Sequence, residues 1–300
     1  MEPLSESANK DVLRRRFPRH LRHMTQSARR CTASMSYRVP LMPSELRTER
    51  RGTTLVLTMS DPATRNTLSE QLFAAGIEAL NVAESDPDVR CLVLQGDGDH
   101  FCAGSDVAGL RERRAADPSV QMQAVERFHQ FIEALRACPK PVIAAVEGGA
   151  VGGGFSLALA CDLIVAAEAA RFVMSQALLG LSPDGGGSWQ LARLLARPLA
   201  LQLIWLAEPI SARQLQAHGV VNCVCDNGKA LSEACAIADR LAQMAPNALA
   251  SAKELVGQGL RQTLAQQLTM ERDHLLENLF HPNGSEGLQA FGDKRPPRFR

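Results

Sequence analysis

From residue 51 onward, apolar positions fall into short β-type runs separated by stretches with helical spacing. "TTLVLTMS" (53–60) is rich in β-branched and apolar residues and stops at Asp61-Pro62, which predicts a strand and a turn. "TLSE" (67–70) reads as a capping box, and Leu68, Leu72, Ala75, Ala79 and Leu80 then keep helical spacing as far as Ala83. "CLVLQG" (91–96) is a continuous apolar run of the kind a buried parallel strand requires. A long helix is predicted over 119–137, ending before Pro139, followed by strands at "PVIAAVEG" (141–148), "CDLIVAAE" (161–168), "RFVM" (171–174) and "VVNCVC" (220–225). "SARQLQAHG" (211–219) opens on Ser and closes on Gly, a short helix with both ends marked. Amphipathic helices fill 229–280.

Strands alternating with helices, and helices gathering at the end, define an α/β chain. It divides into an N-terminal extension (1–50) expected to be disordered, a core (51–245) and a C-terminal helical region (246–300).

Composition narrows the function classes. A chain of 300 residues with 45% hydrophobic and 22% charged side chains holds one domain with appendages. Its formal net charge of +1 gives no electrostatic case for nucleic acid or acidic lipid. No apolar run reaches the ~18 residues of a membrane span. The 8 cysteines are scattered, and Cys223-x-Cys225 lacks the second ligand pair of a zinc site, so free thiols in a reducing compartment are expected.

Residues 12–44 hold arginines and no acid, a composition resembling a mitochondrial presequence. The alternative is an upstream start with initiation at Met42, or a disordered tail. A cytoplasmic location is expected, with the mitochondrial matrix as the alternative. Aromatic residues are too sparse in this arm for nucleic-acid stacking.

Two glycine-bearing turns follow strands: "DHFCAGSDVAGL" (99–110) and "GGAVGGGFSLALACD" (148–162). Glycines let backbone approach a ligand, and two N–H donors from separate turns converging on one point make an oxyanion hole. Gly152-Gly153-Gly154 is equally compatible with close helix packing. A dinucleotide fingerprint fails because G-x-G-x-x-G does not occur in this turn, and a P-loop fails for want of Gly-Lys-Ser/Thr. "GFSLA" (154–158) is one residue short of G-x-S-x-G, and Asp184 and His218 follow in hydrolase order. Ser156, however, falls inside a helix and not at a strand end, where a nucleophile elbow needs it.

At this point the residues carry a resemblance. "FCAGSD", "KPVIAAVEGGAVGGGFSLALACDLIVA", "LGLSPDGGGSW", "ISARQLQAHGVVN" and "FGDKRPPRF" resemble successive segments of the crotonase, or enoyl-CoA hydratase/isomerase, family over residues 50–300. The resemblance implies a crotonase-like spiral of ββα units with a C-terminal helical trimerisation region, assembled as a homotrimer or a dimer of trimers. It implies an acyl-CoA thioester as substrate, with coenzyme A part of that substrate and no other cofactor. By the same resemblance Ser105 and Gly153 supply the oxyanion-hole N–H groups, and Ala103 offers its backbone to the adenine. Arg65 lies near the CoA phosphates, and Phe291 and Lys294 occupy tail positions that touch CoA.

The sequence departs from the hydratase pattern at both glutamate positions, which hold Ser156 and Gln176. Neither is a general base near neutral pH. Asp184 stands where non-hydratase members of the family place an acid/base or nucleophilic aspartate; its context most resembles phenylacetate-pathway epoxide isomerases and relatives described as alternative oxepin-CoA hydrolases. One carboxylate in an apolar pocket suffices to take a proton from one carbon and return it to another. Without the resemblance, Pro183-Asp184-Gly185 is strong turn chemistry, and the two readings are compatible. The expected activity is isomerisation of an unsaturated or ring acyl-CoA, with atypical hydration and non-catalytic CoA binding as alternatives. Asp106, Asp162, Glu147, His100 and His129 rank as structural or surface groups.

Overall fold

A computed structural model describes residues 45–300; the expectations for residues 1–44 lie outside these. Strands β1 (Glu45–Arg51) and β2 (Thr54–Ser60) form a hairpin, followed by helix α1 (Glu70–Ser85) and strand β3 (Cys91–Gly96). Helices α2 (Val107–Arg114) and α3 (Pro118–Ala137) lead to β4 (Val142–Val146), β5 (Gly149–Val151) and α4 (Gly153–Ala160). Next come β6 (Leu163–Ala167), β7 (Arg171–Val173), a 3-10 turn at Gln176–Leu179, α5 (Gly187–Leu194) and α6 (Arg197–Leu206). The chain closes with β8 (Ile210–Ser211), α7 (Ala212–Ala217), β9 (Cys223–Cys225), α8 (Ala230–Leu241), α9 (Pro246–Gly259), α10 (Leu264–Phe280) and α11 (Pro282–Gly292).

The main sheet has the order β1-β2-β3-β4-β6-β9, parallel except for β1. A second, three-stranded sheet runs β5-β7-β8. Each of β4 and β6 is followed at once by a short strand in the second sheet and then by helical structure. After β3 the same step is reduced to one residue, Cys102, bridged to Ala150. This is the expected repetition of ββα units.

Strand alternation divides the core. Leu92 and Leu94 face the larger cluster with Phe131, Phe155 and Phe172, whereas Cys91 and Val93 face the smaller one. Alanines 230, 234 and 238 on α8 cover that second face; their four-residue spacing presents one small-residue stripe, which lets the helix lie close to the sheet.

Three expectations change. Residues 45–50, placed in the extension, form β1, whose polar "ELRTERR" is held by the full ladder to β2 and by ion pairs from Arg47 to Asp97 and Arg50 to Asp86. A charged edge strand of this kind resists further pairing. The cap of α1 is Ser69, whose hydroxyl accepts from Leu72 N–H, while Thr67 Oγ1 bonds Thr64 Oγ1 instead. Strands β5 and β8 and helix α2 are additional elements, too short or too polar to show periodicity.

The connection from β2 to α1 is set by a buried asparagine. Asn66 has a left-handed backbone (φ 59°), which Asn tolerates better than most residues. Its Nδ2 donates to the carbonyls of Asp97 (2.9 Å) and His100 (2.8 Å), and its Oδ1 accepts from Asp61 N–H (2.9 Å). One side chain thus ties residues 61–66 to 97–101.

Asn66→Ala is expected to lower stability by about 1–3 kcal/mol in urea unfolding, because three part-buried backbone groups lose their partner together. Asn66→Asp should recover only a part, since a carboxylate cannot donate to two carbonyls.

Candidate active site

Residues 99–105 and 148–153 are brought together by backbone pairing. Phe101 N–H donates to Glu147 O (2.8 Å), Cys102 N–H to Gly149 O (3.0 Å), and Val151 N–H to Cys102 O (2.9 Å). A third segment joins through Ala103 N–H to Arg65 O (3.0 Å) and Leu68 N–H to Gly104 O (2.9 Å). Gly104 is needed for this approach: its φ is 86°, and a Cβ there would stand 2.5 Å from Val151 O and 3.4 Å from Gly153 N.

Ser105 therefore sits beside the first turn of α4, where Gly153 is buried. Among the described residues neither Ser105 N–H nor Gly153 N–H donates to another backbone carbonyl. Gly153 is moreover one of the helix-start donors that have no intrahelical acceptor, at the positive end of the helix dipole. The Cys102 thiol next to them is pushed up to about 12 by burial, so it is no thiolate nucleophile.

Asp184 follows β7 and the 3-10 turn and is tied to α4 and to that turn. Gly187 N–H donates to Asp184 O (3.2 Å), closing the tight turn that Pro183-Asp184-Gly185 predicts. Gly185 has φ 59°, and a side chain there would run into the Phe128 ring. The Ser156 hydroxyl, fully buried in α4, donates to Asp184 O (2.8 Å). Gln176 Nε2 donates to Asp184 Oδ1 (3.0 Å). The two residues at the glutamate positions thus both hold Asp184, one by its backbone and one by its carboxylate.

Gln176 also abuts the start of α4: a Cβ on Gly152 would lie 3.6 Å from its Nε2. Gln176 is only 8% exposed, and its Oε1 has no hydrogen-bond partner. An orphaned buried acceptor costs stability and calls for an explanation, and this one lies beside the Asp184 carboxylate. Ser156, with its hydroxyl committed to a carbonyl from inside a helix, has none of the geometry of a hydrolase nucleophile.

The remaining candidates separate. Arg65 (φ 62°) and Ala103 lie on the joined segments, Arg65 exposed and Ala103 half-buried. Phe291, 86% exposed, and Lys294 (φ 57°) lie at the end of α11; Lys294 N–H bonds Phe291 O, and no hydrogen bond or ion pair ties either to the turns described above. Asp106 caps α2 through Ala108 and Gly109 N–H, and Asp162 accepts from Val142 N–H and Lys253. Glu147 accepts from Ala230 N–H. His100 Nδ1 lies 3.2 Å from Gly149 N–H, and burial holds its pKa below the usual histidine range.

Sequence reasoning passed over Leu68 and Phe128, which make the apolar wall between Gly153 and Gly185, and Met174, packed against Gly187. They are core residues by pattern, and no sequence signal distinguishes a core side chain that also borders a site.

Residues 49–300 match the family model described as "Enoyl-CoA hydratase/isomerase". The chain is 36% identical to 1,2-epoxyphenylacetyl-CoA isomerase of Escherichia coli over 250 residues, covering 82% of this chain and 94% of that protein. It is 34% identical to 2,3-dehydroadipyl-CoA hydratase of the same organism, covering 86% and 99%. The crystal structure of an enoyl-CoA hydratase from Polaromonas sp. JS666 superposes with a TM-score of 0.84 at 53% identity, covering 85% of this chain and 99% of that one. The chain belongs to the enoyl-CoA hydratase/isomerase, or crotonase, family. It is an acyl-CoA enzyme with the crotonase fold.

Ser156→Ala is expected to lower stability by about 1 kcal/mol in chemical denaturation, the usual worth of one internal hydrogen bond. An unchanged midpoint would mean that the hydroxyl does not anchor the Asp184 turn.

Proposed function

We propose that this enzyme isomerises an unsaturated or ring-type acyl-CoA, with Asp184 as the single acid/base. In this reading Ser105 and Gly153 N–H groups take the thioester oxygen. The Asp184 carboxylate removes a proton from a carbon conjugated to the thioester; the electron pair moves onto the oxygen as an enolate, and the donors offset the new charge. Asp184 then returns the proton to a different carbon, so substrate and product are isomers and no co-reactant is consumed. Arg65, Ala103, Phe291 and Lys294 serve the CoA portion, the last two across a subunit boundary.

The observation that carries this reading is the pair of hydrogen bonds into Asp184. Ser156 and Gln176 occupy the positions where hydratases keep two glutamates, and here both are spent on holding one aspartate. Water addition is ordinarily served by two carboxylates, whereas moving one proton between carbons needs one. The 36% identity to an epoxyphenylacetyl-CoA isomerase points the same way, although the relatives also include hydratases.

A homotrimer, or a dimer of trimers, is part of the proposal. Helices α9 and α10 have no buried residue in the single chain, yet they and the α9 C-cap Leu260 expose Val256, Leu260, Leu264, Leu268, Leu275 and Phe280. Such a face calls for a partner. The free cysteines among the described residues suit a reducing compartment, the cytoplasm or, alternatively, a mitochondrial matrix.

Purified protein scanned against unsaturated and ring acyl-CoAs should isomerise at least one of them. Asp184→Asn should lose about 100- to 10,000-fold in turnover while still binding the CoA ester, as read by calorimetry. Crotonyl-CoA hydration at a rate typical of hydratases, with Asp184→Asn unaffected, would overturn the proposal. CoA-ester binding with no turnover of any substrate would replace it with a non-catalytic role.

A further inference from the structure

Three arginines from distant parts of the chain meet at one indole ring. The guanidinium carbons of Arg193, Arg136 and Arg261 lie 3.6, 4.7 and 5.5 Å from the Trp189 ring centre. Arg136 is in the last turn of α3, Arg193 in the last turn of α5, and Arg261 just past the end of α9. Tertiary packing, and not a local basic run, builds the cluster. Arg193 also donates to Trp189 O (3.2 Å), which holds it against the ring it covers.

The cluster has no counterion of its own among the described residues. Among the described residues none of the three arginines forms an ion pair with a carboxylate. Asp162, which acts electrostatically on Arg136, is already engaged by Lys253 Nζ (2.8 Å) and Val142 N–H (2.8 Å). Arg136 is half-buried, and its affinity for a proton is lowered by burial and then by the charges of Arg261 and Arg193.

Arg136 and Arg261 lie at the C-terminal ends of α3 and α9, whose dipoles offset part of this repulsion. The ring face adds a weaker, short-range attraction. Three guanidinium charges remain only partly offset, so the cluster stays positive. Guanidinium groups bind such oxyanions bidentately, and an aromatic platform fixes their planes.

We infer that Arg136, Arg193 and Arg261, seated on Trp189, form a binding site for a compact phosphate-type oxyanion, separate from the acyl-CoA site. Arg136 lies eight residues beyond Phe128 on α3, about 12 Å along the helix axis from the wall that supports Asp184. The shared chemistry is the phosphate group, carried free or on a nucleotide.

The test uses the full-length protein and does not depend on turnover, so its outcome is independent of the proposed reaction. Thermal unfolding is followed in sodium phosphate and in sodium chloride at equal ionic strength. The wild type should show a saturable rise in Tm with phosphate that chloride does not give. Arg261→Gln should weaken the phosphate response by about tenfold, as loss of one charge-assisted hydrogen bond predicts. Arg261→Glu, which supplies a carboxylate within the cluster, should raise Tm in chloride and abolish the phosphate response. A parallel series with ADP identifies the source: a response at lower concentration than inorganic phosphate, also lost in Arg261→Glu, assigns the site to a nucleotide phosphate.

A wild type with no phosphate-specific rise overturns the inference. So does a rise of equal size in both variants, which marks a general salt effect. A wild type indifferent to phosphate whose subunit assembly is lost in Arg261→Glu also overturns it, and assigns the cluster to a carboxylate of a second copy.

Discussion

The two hydrogen bonds that Cys102 makes to Gly149 and Val151 set where everything chemical in this molecule lies. They pull a turn from the end of β3 onto a turn from the end of β4, across the gap between the two sheets. Once that pairing exists, Gly104 passes within contact of Val151, Ser105 is delivered to the start of α4, and the segment around Arg65–Leu68 is drawn in behind it. The pairing explains why the second sheet can be so slight. Its strands need not carry a large core; they need to hold the ends of main-sheet strands in register, and a few backbone bonds do that when both sides are buried.

The Asp184 turn hangs on this frame. It has no regular structure of its own and is fixed by polar contacts from α4 and the 3-10 turn, with the Phe128 ring behind it. Side chains that would ordinarily be read as lost function, a serine and an amide in place of acids, are here the supports of a neighbouring acid.

How much of this was legible follows from which interactions are local. The strands of the main sheet announce themselves as apolar runs bounded by turn residues, and the short helix after Ser211 carries both of its end signals. The cap of α1 was read two residues early because Thr67 and Ser69 are equally suited to the role, and only the path of residues 61–68 decides between them. Strand β1 was invisible: "ELRTERR" has no apolar alternation, and its ladder exists because β2 offers an edge. For the site, Ser105, Gly153, Ser156, Gln176 and Asp184 are legible from motif and resemblance; Ser156 and Gln176 contact Asp184, and Gly104 carries the chain past Gly153 just before Ser105. The hydrogen bonds of Ser156 and Gln176 to Asp184 were not legible, because they join residues separated by 28 and 8 positions through a fold that no pattern encodes. The arginines around Trp189 were missed for the same reason.

The serine in α4 has a consequence for how this scaffold can change. Its hydroxyl fills the space that Gly187 leaves open, since a Cβ on that glycine would stand 2.5 Å from Ser156 Oγ. A side chain at 187 would therefore press on that hydroxyl and loosen the Asp184 carbonyl it holds. The serine and the glycine thus form a matched pair, and what either position can become is limited by the other.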